Sequence, residues 1–541
     1  MTTREYHDRT AHSPASVRTS GHALEWDIKP FPFKVYTDLP PITLQRELDP
    51  LAVDALGAIA GPAPAGPTAL TLGHLAAVLY YSAGVTKKKA YPGGGEVLFR
   101  AAPSTGALYQ TEVYVAVGAV AGLEAGLYHF CPGDFALRRL RAGDVRQALA
   151  ASAADDSIAS RAATVVLTAI YWRNTWKYQA RAYRHLFWDS GTMLANLLAV
   201  AGGLGLAPRV LTGFVDVEVD RLLGLDAARE ATLELVPLGP ATAAAPAVVA
   251  LDAIDHPTLP LSSSEIDYPL VREIHSATSL STPDAVRAWR LRGGAGGRGV
   301  VAETTLAVTR DVGAGKTTVG SEPEDTARGS QPRIVALPAV RGEGGRGLGE
   351  TIQRRGSTRE FGPAALTALE LATALWAATR SVEADVPAGL VDLYLVVNAV
   401  EDVPSGAYYY RPAEHVLELL ATGDFRNRSS YLCLEQPLGG AAATVIYFLA
   451  RLDDLSRAFG ERGYRLANQD AGLAGGRAYL AAYAQGFGAS GLTFYDRDVV
   501  EFFSPHAAGK DAIFVTALGR SAAGGRVTIE SNLSPRRRPS A

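Results

Sequence analysis

The sequence predicts an α+β protein in which one fold occurs twice, the two domains forming an intramolecular pseudodimer. Two runs of matched residues carry that prediction. Gly126-Leu-Tyr-His-Phe-Cys-Pro132 through Gly143-Asp-Val-Arg146 returns as Gly406-Ala-Tyr-Tyr-Tyr-Arg-Pro412 through Gly423-Asp-Phe-Arg426, an offset of 280 residues. Tyr183-Arg184, Asp189, Gly191 and Gly205 return as Tyr464-Arg465, Asp470, Gly472 and Gly486, an offset of 281. The third observation is that each copy reads as an amphipathic helix and then a buried strand, in the same order. A fold repeated within one chain is the covalent form of a symmetric dimer.

Residues 1–45 read as an arm. Trp26, Phe31, Phe33 and Tyr36 stand among Pro30, Pro32, Pro40 and Pro41, a pattern for an extended segment docked on a surface. The first domain is expected over 46–255. Leu70 to Leu79 has helical spacing, Val113–Val117 reads as a strand, Asp189 to Leu206 as an apolar helix ending at Gly205, and Leu233–Pro237 as a closing strand. A connector follows over 256–333, and its stretch from Gly293 to Pro332 has linker composition. Within it Gly313-Ala-Gly-Lys-Thr317 imitates a phosphate loop, but Arg310 occupies the position of the required first glycine. The second domain is expected over 334–530, with Leu366 to Trp376 repeating the helix, Leu393–Val397 the strand, and Ile513–Leu518 closing the sheet. Residues 531–541 read as a basic tail.

Composition narrows the function. Of 541 residues, 48% are hydrophobic and 20% charged, with a formal net charge of −3. That balance gives no electrostatic reason to expect nucleic acid or an anionic membrane as partner. No apolar run reaches the roughly 18 residues of a membrane span. Cys131 and Cys433 do not coincide under the repeat offset, so neither a disulfide framework nor a metal cluster is expected, and the reading is cytoplasmic.

Each half keeps chemistry the other lacks. In the second, Arg354-Arg-Gly-Ser-Thr-Arg359 offers three guanidiniums, a hydroxyl and backbone amides expected at a helix start, a set suited to phosphate. Composition alone favours a solvated basic turn. Its counterpart Ala58-Ile-Ala-Gly-Pro-Ala-Pro-Ala65 has no arginine. In the first half, Pro103-Ser-Thr-Gly106 makes a rigid turn able to approach a flat ring, or simply a turn before a strand. Counting 280 forward lands on Glu383-Ala-Asp-Val386, where the motif is absent. Lys177-Tyr178, expected near a helix start, can orient a substrate and move a proton if burial lowers the lysine pKa. The second half has Ala458-Phe459 there.

At these residues the chain resembles the FMN-dependent nitroreductase superfamily, and within it the azoline dehydrogenases of the SagB type. The resemblance rests on Arg354-Arg-x-Ser-x-Arg359, on Pro103-Ser-x-Gly106 with Glu112-x-Tyr114, and on Lys177-Tyr178 before Arg181-x-Tyr-Arg184. It implies one FMN site built from both halves. Arg354, Arg355, Ser357, Arg359 and Arg520 would come from the second, and Pro103, Ser104 and Gly106 from the first. Lys177 and Tyr178 would be catalytic, with Tyr178 the favoured base, and Arg181, Tyr183 and Arg184 would contact substrate. No metal is implied. The implied reaction oxidises thiazolines or oxazolines of a ribosomal precursor peptide to thiazoles or oxazoles. Dioxygen would be the oxidant and a cyclodehydratase a partner. A general NAD(P)H nitro or quinone reductase is the alternative, and a flavin-free peptide scaffold a third reading. The mirror site is expected to be empty.

Overall fold

The computed structural model describes residues 1–51, 53–61, 68–90, 96–118, 120–247, 251–293, 333–522, 529–530 and 536–537. The expected linker beyond Gly293, with its phosphate-loop imitation, lies outside the described residues, as does the tail apart from 536–537.

Each half is built on one antiparallel sheet. The first orders its strands Ile42–Thr43, Ala136–Ala142, Gly126–Cys131, Thr111–Val117, Arg161–Ile170 and Glu230–Ala241. The second orders Arg333–Ala336, Val416–Thr422, Gly406–Arg411, Asp392–Val397, Thr444–Ala450, Asp511–Gly519 and Gly488–Gly491. Register reproduces the repeat. Val117 lies opposite Gly126 and Ala163, and Val397 opposite Gly406 and Thr444. The central strands are buried on both faces, which is why they read as nearly continuous apolar runs rather than alternating ones.

Seven helices position the site: α1 (Thr3–Arg9), α2 (Ala55–Ala60), α3 (Tyr171–Tyr178), α4 (Ala182–Gly203), α5 (Leu348–Arg354), α6 (Leu452–Phe459) and α7 (Gly463–Gln485). Nearly every residue of α4 and α7 is buried, as expected for helices apolar all round. They cross at Gly191 and Gly472. A Cβ on Gly191 would strike the backbone of Gln469, and one on Gly472 the backbone of Trp188. Gln469 is the repeat counterpart of Trp188, so the contact is reciprocal, the signature of an isologous interface.

The same symmetry organises buried charge. Asp496 accepts from Arg181 at 2.9 Å and Arg184 at 2.6 Å, while Asp216 accepts from Arg462 at 2.7 Å and Arg465 at 2.6 Å. Each carboxylate sits in the half opposite its arginines. Those guanidiniums hold both aspartates below the usual carboxylate range despite burial, Asp216 at about 2.

The arm does dock, but unevenly. Its α1 crosses to the second half, where Arg4 pairs with Asp511 at 2.6 Å and the Thr3 amide donates to Glu461 at 2.6 Å. Phe33 and Tyr36 are buried, and residues 31–37 bond residues 257–261 of the connector. Trp26, expected to be covered, remains 65% exposed, set edge-on to Trp176 at 5.3 Å with the Lys29 ammonium 5.6 Å over its ring.

Candidate active site

The Pro103–Gly106 turn is held from below. Buried Asp189 on α4 accepts the Ser104 hydroxyl at 2.6 Å, the Thr105 amide at 2.8 Å, the Thr105 hydroxyl at 2.7 Å and the Gln110 amide at 2.7 Å. Burial still pushes its carboxyl up to about 6, against the pull of these donors. The Ser104 oxygen also receives the Tyr109 amide at 2.9 Å, so Ser104 shapes the turn. Gly106 has φ +64°, and a Cβ there would lie 2.9 Å from the Tyr178 hydroxyl. Glycine is what lets the turn and the tyrosine meet.

Lys177 and Tyr178 end a helix rather than begin one, a correction to the sequence expectation. They form the last turn of α3, which stops at Gln179 with φ +50°. The Lys177 ammonium stands 5.3 Å over the Tyr178 ring, whose other contact is the edge of His185 at 4.5 Å. Burial, then the charge of Arg359, lowers the Lys177 pKa. Burial, with a further push from Asp189, raises that of Tyr178, which Arg359 opposes. Tyr178 is held protonated, and Lys177 is the group eased toward its neutral form.

The arginine segment also departs from expectation. No helix starts there. Arg354 is the last residue of α5, and the chain continues extended, with the Thr358 amide bonded to Ala489 at 2.9 Å. Carbonyls rather than amides are exposed at that helix end, and Lys87 from the first half covers them, donating to Arg354 at 2.8 Å and Arg355 at 2.7 Å. Burial and then Arg355 bring the Lys87 amine down to about 8. Buried Arg355 donates to the carbonyls of Ala101 and Arg100 at 2.7 and 2.8 Å, stitching the halves together. Exposed Arg354 pairs with Glu350 at 2.7 Å, and Arg520 with Glu370 at 2.8 Å. The Ser357 hydroxyl lies 3.5 Å from Tyr479. Arg359 is exposed, and its charge reaches both Lys177 and Tyr178 across the domain boundary.

Three expected substrate residues lie elsewhere. Arg181 and Arg184 are the buried partners of Asp496, and the Tyr183 hydroxyl bonds Thr278 at 2.8 Å. All three are at most 4% exposed. Arg462 and Arg465 repeat the pattern in the other half, so the motif anchors the domains to one another.

The mirror site differs in kind. Phe459, at the place of Tyr178, packs 6.0 Å from the ring of Trp289, whose indole donates to the Phe459 carbonyl at 2.9 Å. Arg290 beside it bonds Asp385 at 3.1 Å and the Gly213 carbonyl at 2.7 Å. A segment of the connector thus occupies the space beside Phe459. The turn absent from 383–386 reappears in reduced form as Pro387-Ala-Gly389, where Asp470 accepts the Leu390 amide at 2.7 Å. The retained pair Asp189 and Asp470 was the sequence signal for that grip. Lys87 and the Trp289 plug had none that spacing could reveal.

These features define an α+β pseudodimer in which Lys177 and Tyr178 of one domain lie within reach of the Arg359 charge from the other. The Nitroreductase family is matched by residues 68–239 and 352–516, more than half of the chain, and the protein belongs to that family, whose members typically bind flavin. A nitroreductase-type protein of Methanocaldococcus jannaschii is 31% identical over 171 residues, 31% of this chain and 81% of that one. The microcin B17-processing protein McbC of Escherichia coli is 29% identical over 130 residues, 23% of this chain and 48% of McbC, so the match spans about half of that relative. A nitroreductase-type crystal structure from Anabaena variabilis superposes with TM-score 0.72 at 26% identity, covering 96% of this chain and 99% of that one. The two-domain arrangement is therefore shared along its whole length. Among the described residues no helix is long and apolar enough to cross a membrane.

Proposed function

We propose that the protein is an FMN-dependent dehydrogenase that oxidises thiazolines or oxazolines of a ribosomally made peptide to thiazoles or oxazoles. The observation that carries this reading is the convergence of Lys177 and Tyr178 from one half with Arg359 from the other. A general flavin reductase has no need of that lysine–tyrosine pair. The similarity to a microcin-processing protein supports the substrate class.

The site suits FMN. Arg359 and Ser357 would hold the phosphate, with Arg354 released from its exposed partner Glu350, a pairing worth little, and Arg520 turned from Glu370. Gly356, whose added Cβ would meet nothing closer than 3.6 Å, and the turn at Gly106 leave room for close backbone approach. When bound, the cofactor supplies a two-electron acceptor for hydride. Lys177, eased toward its neutral form, takes the ring proton, and Tyr178, kept protonated, donates to a ring heteroatom. Dioxygen is the terminal oxidant in this reading, and a cyclodehydratase supplies the azoline peptide in the cytoplasm.

The test is to release and quantify flavin from the purified chain and incubate the holoenzyme with a thiazoline peptide. One FMN per chain, lost in Arg359→Ala, and removal of two hydrogens per ring by mass spectrometry are expected. Nitroaromatic reduction by NAD(P)H with the thiazoline untouched would favour the general reductase. A flavin-free protein would favour the scaffold.

A further inference from the structure

The symmetry that relates the halves carries one flank of the composite site, the end of α5 with Tyr479 and Tyr483, onto a cavity of about 410 Å³. Ile59 stands at the end of α2 as Ile352 does at the end of α5. Leu198 and Gly202 on α4 take the places of Tyr479 and Tyr483 on α7. The volume lies within the usual range of small-molecule sites, roughly 300–1,000 Å³. Its chemistry, however, is not that of the first site. Arg161, Arg209 and Arg477 line it, none of them a counterpart of the Arg354–Arg359 segment.

These arginines are incompletely used. Arg477 donates to the carbonyls of Arg380 and Ser381, and Arg161 to those of Leu206 and Ala207. Arg209 pairs with Asp155 at 2.7 Å. Yet the Nε atoms of both Arg161 and Arg209 are buried without a hydrogen-bond partner. A buried donor left without a partner is destabilising, more so on a charged group. The two guanidiniums also repel one another, each nearby charge adding to the effect of burial on Arg161. Counting Arg380 and Asp470, which both act on Arg477, four arginines stand against Glu383, Asp155 and Asp470, which leaves one positive charge unbalanced. Ile59, Leu198 and Val382 make the remaining wall apolar.

We propose that this cavity is a second ligand site, for a small organic monoanion that presents a carboxylate to Arg161 and Arg209 and lays an apolar body against Ile59 and Leu198. One negative charge satisfies the excess, whereas a phosphate dianion overshoots it. The site is independent of the reaction proposed above, since none of its residues belongs to the Lys177 site.

The test uses the full-length flavin-loaded protein with 4-(trifluoromethyl)benzoate followed by 19F NMR, and 4-(trifluoromethyl)benzyl alcohol as its neutral analogue. A binding component is expected that survives Arg359→Ala and is at least about tenfold tighter for the acid than for the alcohol. Arg209→Gln should weaken it about tenfold or more, as should filling the cavity by Leu198→Trp, with flavin content and azoline oxidation unchanged. If Leu198→Trp does not fold, Arg209→Gln alone decides. Equal affinity for acid and alcohol, insensitivity to Arg209→Gln, or a second FMN seated in the cavity would each overturn the proposal.

Discussion

The two halves share a scaffold and have divided the chemistry. At the first site a lysine, a tyrosine and an arginine converge from both domains with few internal partners. At the mirror site Phe459 faces Trp289, and the connector fills the space beside it. The structural elements did not diverge in the same way. The Arg181–Arg184–Asp496 cluster and the Arg462–Arg465–Asp216 cluster are equivalent, as are the grips of Asp189 and Asp470. Fusion therefore relaxed what served each site and preserved what joins the domains. A residue kept in both copies speaks for the interface, and a residue kept in one speaks for function.

The largest test of that contrast is Lys177→Ala. Loss of a positioned proton acceptor lowers rates by about 10² to 10⁴. That fall in azoline oxidation, with flavin content unchanged, is expected in steady-state assays, while Phe459→Ala in the mirror site should leave the specific rate alone. A comparable loss in both variants would mean the halves are not divided in this way.

Next come the paired carboxylates. Removing Asp496 or Asp216 leaves two buried guanidiniums unpaired, and breaking a buried ion pair costs about 3–5 kcal/mol. Asp496→Ala and Asp216→Ala should therefore lower the unfolding midpoint by similar amounts. If Arg181 and Arg184 contacted substrate instead, Asp496→Ala would raise KM selectively and the two variants would differ.

The duplicated fold was legible because strand and helix periodicity survive even where chemistry is lost. Offsets of 280 and 281 residues return directly in the register of Val117 and Val397. The division of the unmatched motifs between opposite halves was legible too. What the sequence could not convey was direction. Arg354 and Lys177 both lie at helix ends where composition suggested starts, and at Arg354 the freed carbonyls are satisfied by Lys87 from a distant strand. Arg181 and Arg184 looked functional beside Lys177-Tyr178, and only burial against Asp496 reveals their task. A four-residue shift likewise concealed the Pro387–Gly389 turn from a fixed offset.

The last predicted effect concerns stability alone and lies in the core between the halves, where the symmetry is broken. Glu234 lies opposite Leu167 in the first sheet, and Phe514 opposite Phe448 in the second. Phe514 packs 5.4 Å from Trp188, whereas Glu234 is fully buried beside Gln469, the counterpart of that tryptophan, with neither carboxyl oxygen in a normal hydrogen bond. Burial raises its pKa from 4.5 to about 8, only partly eased by Ser190 and Gln469. The folded chain therefore holds this proton where the unfolded chain releases it. Its contribution to stability is fully present below about pH 4.5 and is lost as pH rises through about 8. Glu234→Gln keeps the shape and removes the titration. Compared by thermal unfolding, the variant should match the parent near pH 4.5 and become progressively more stable than it toward pH 8. A constant difference across that range would show that Glu234 is ionised inside the fold and paired with a cation.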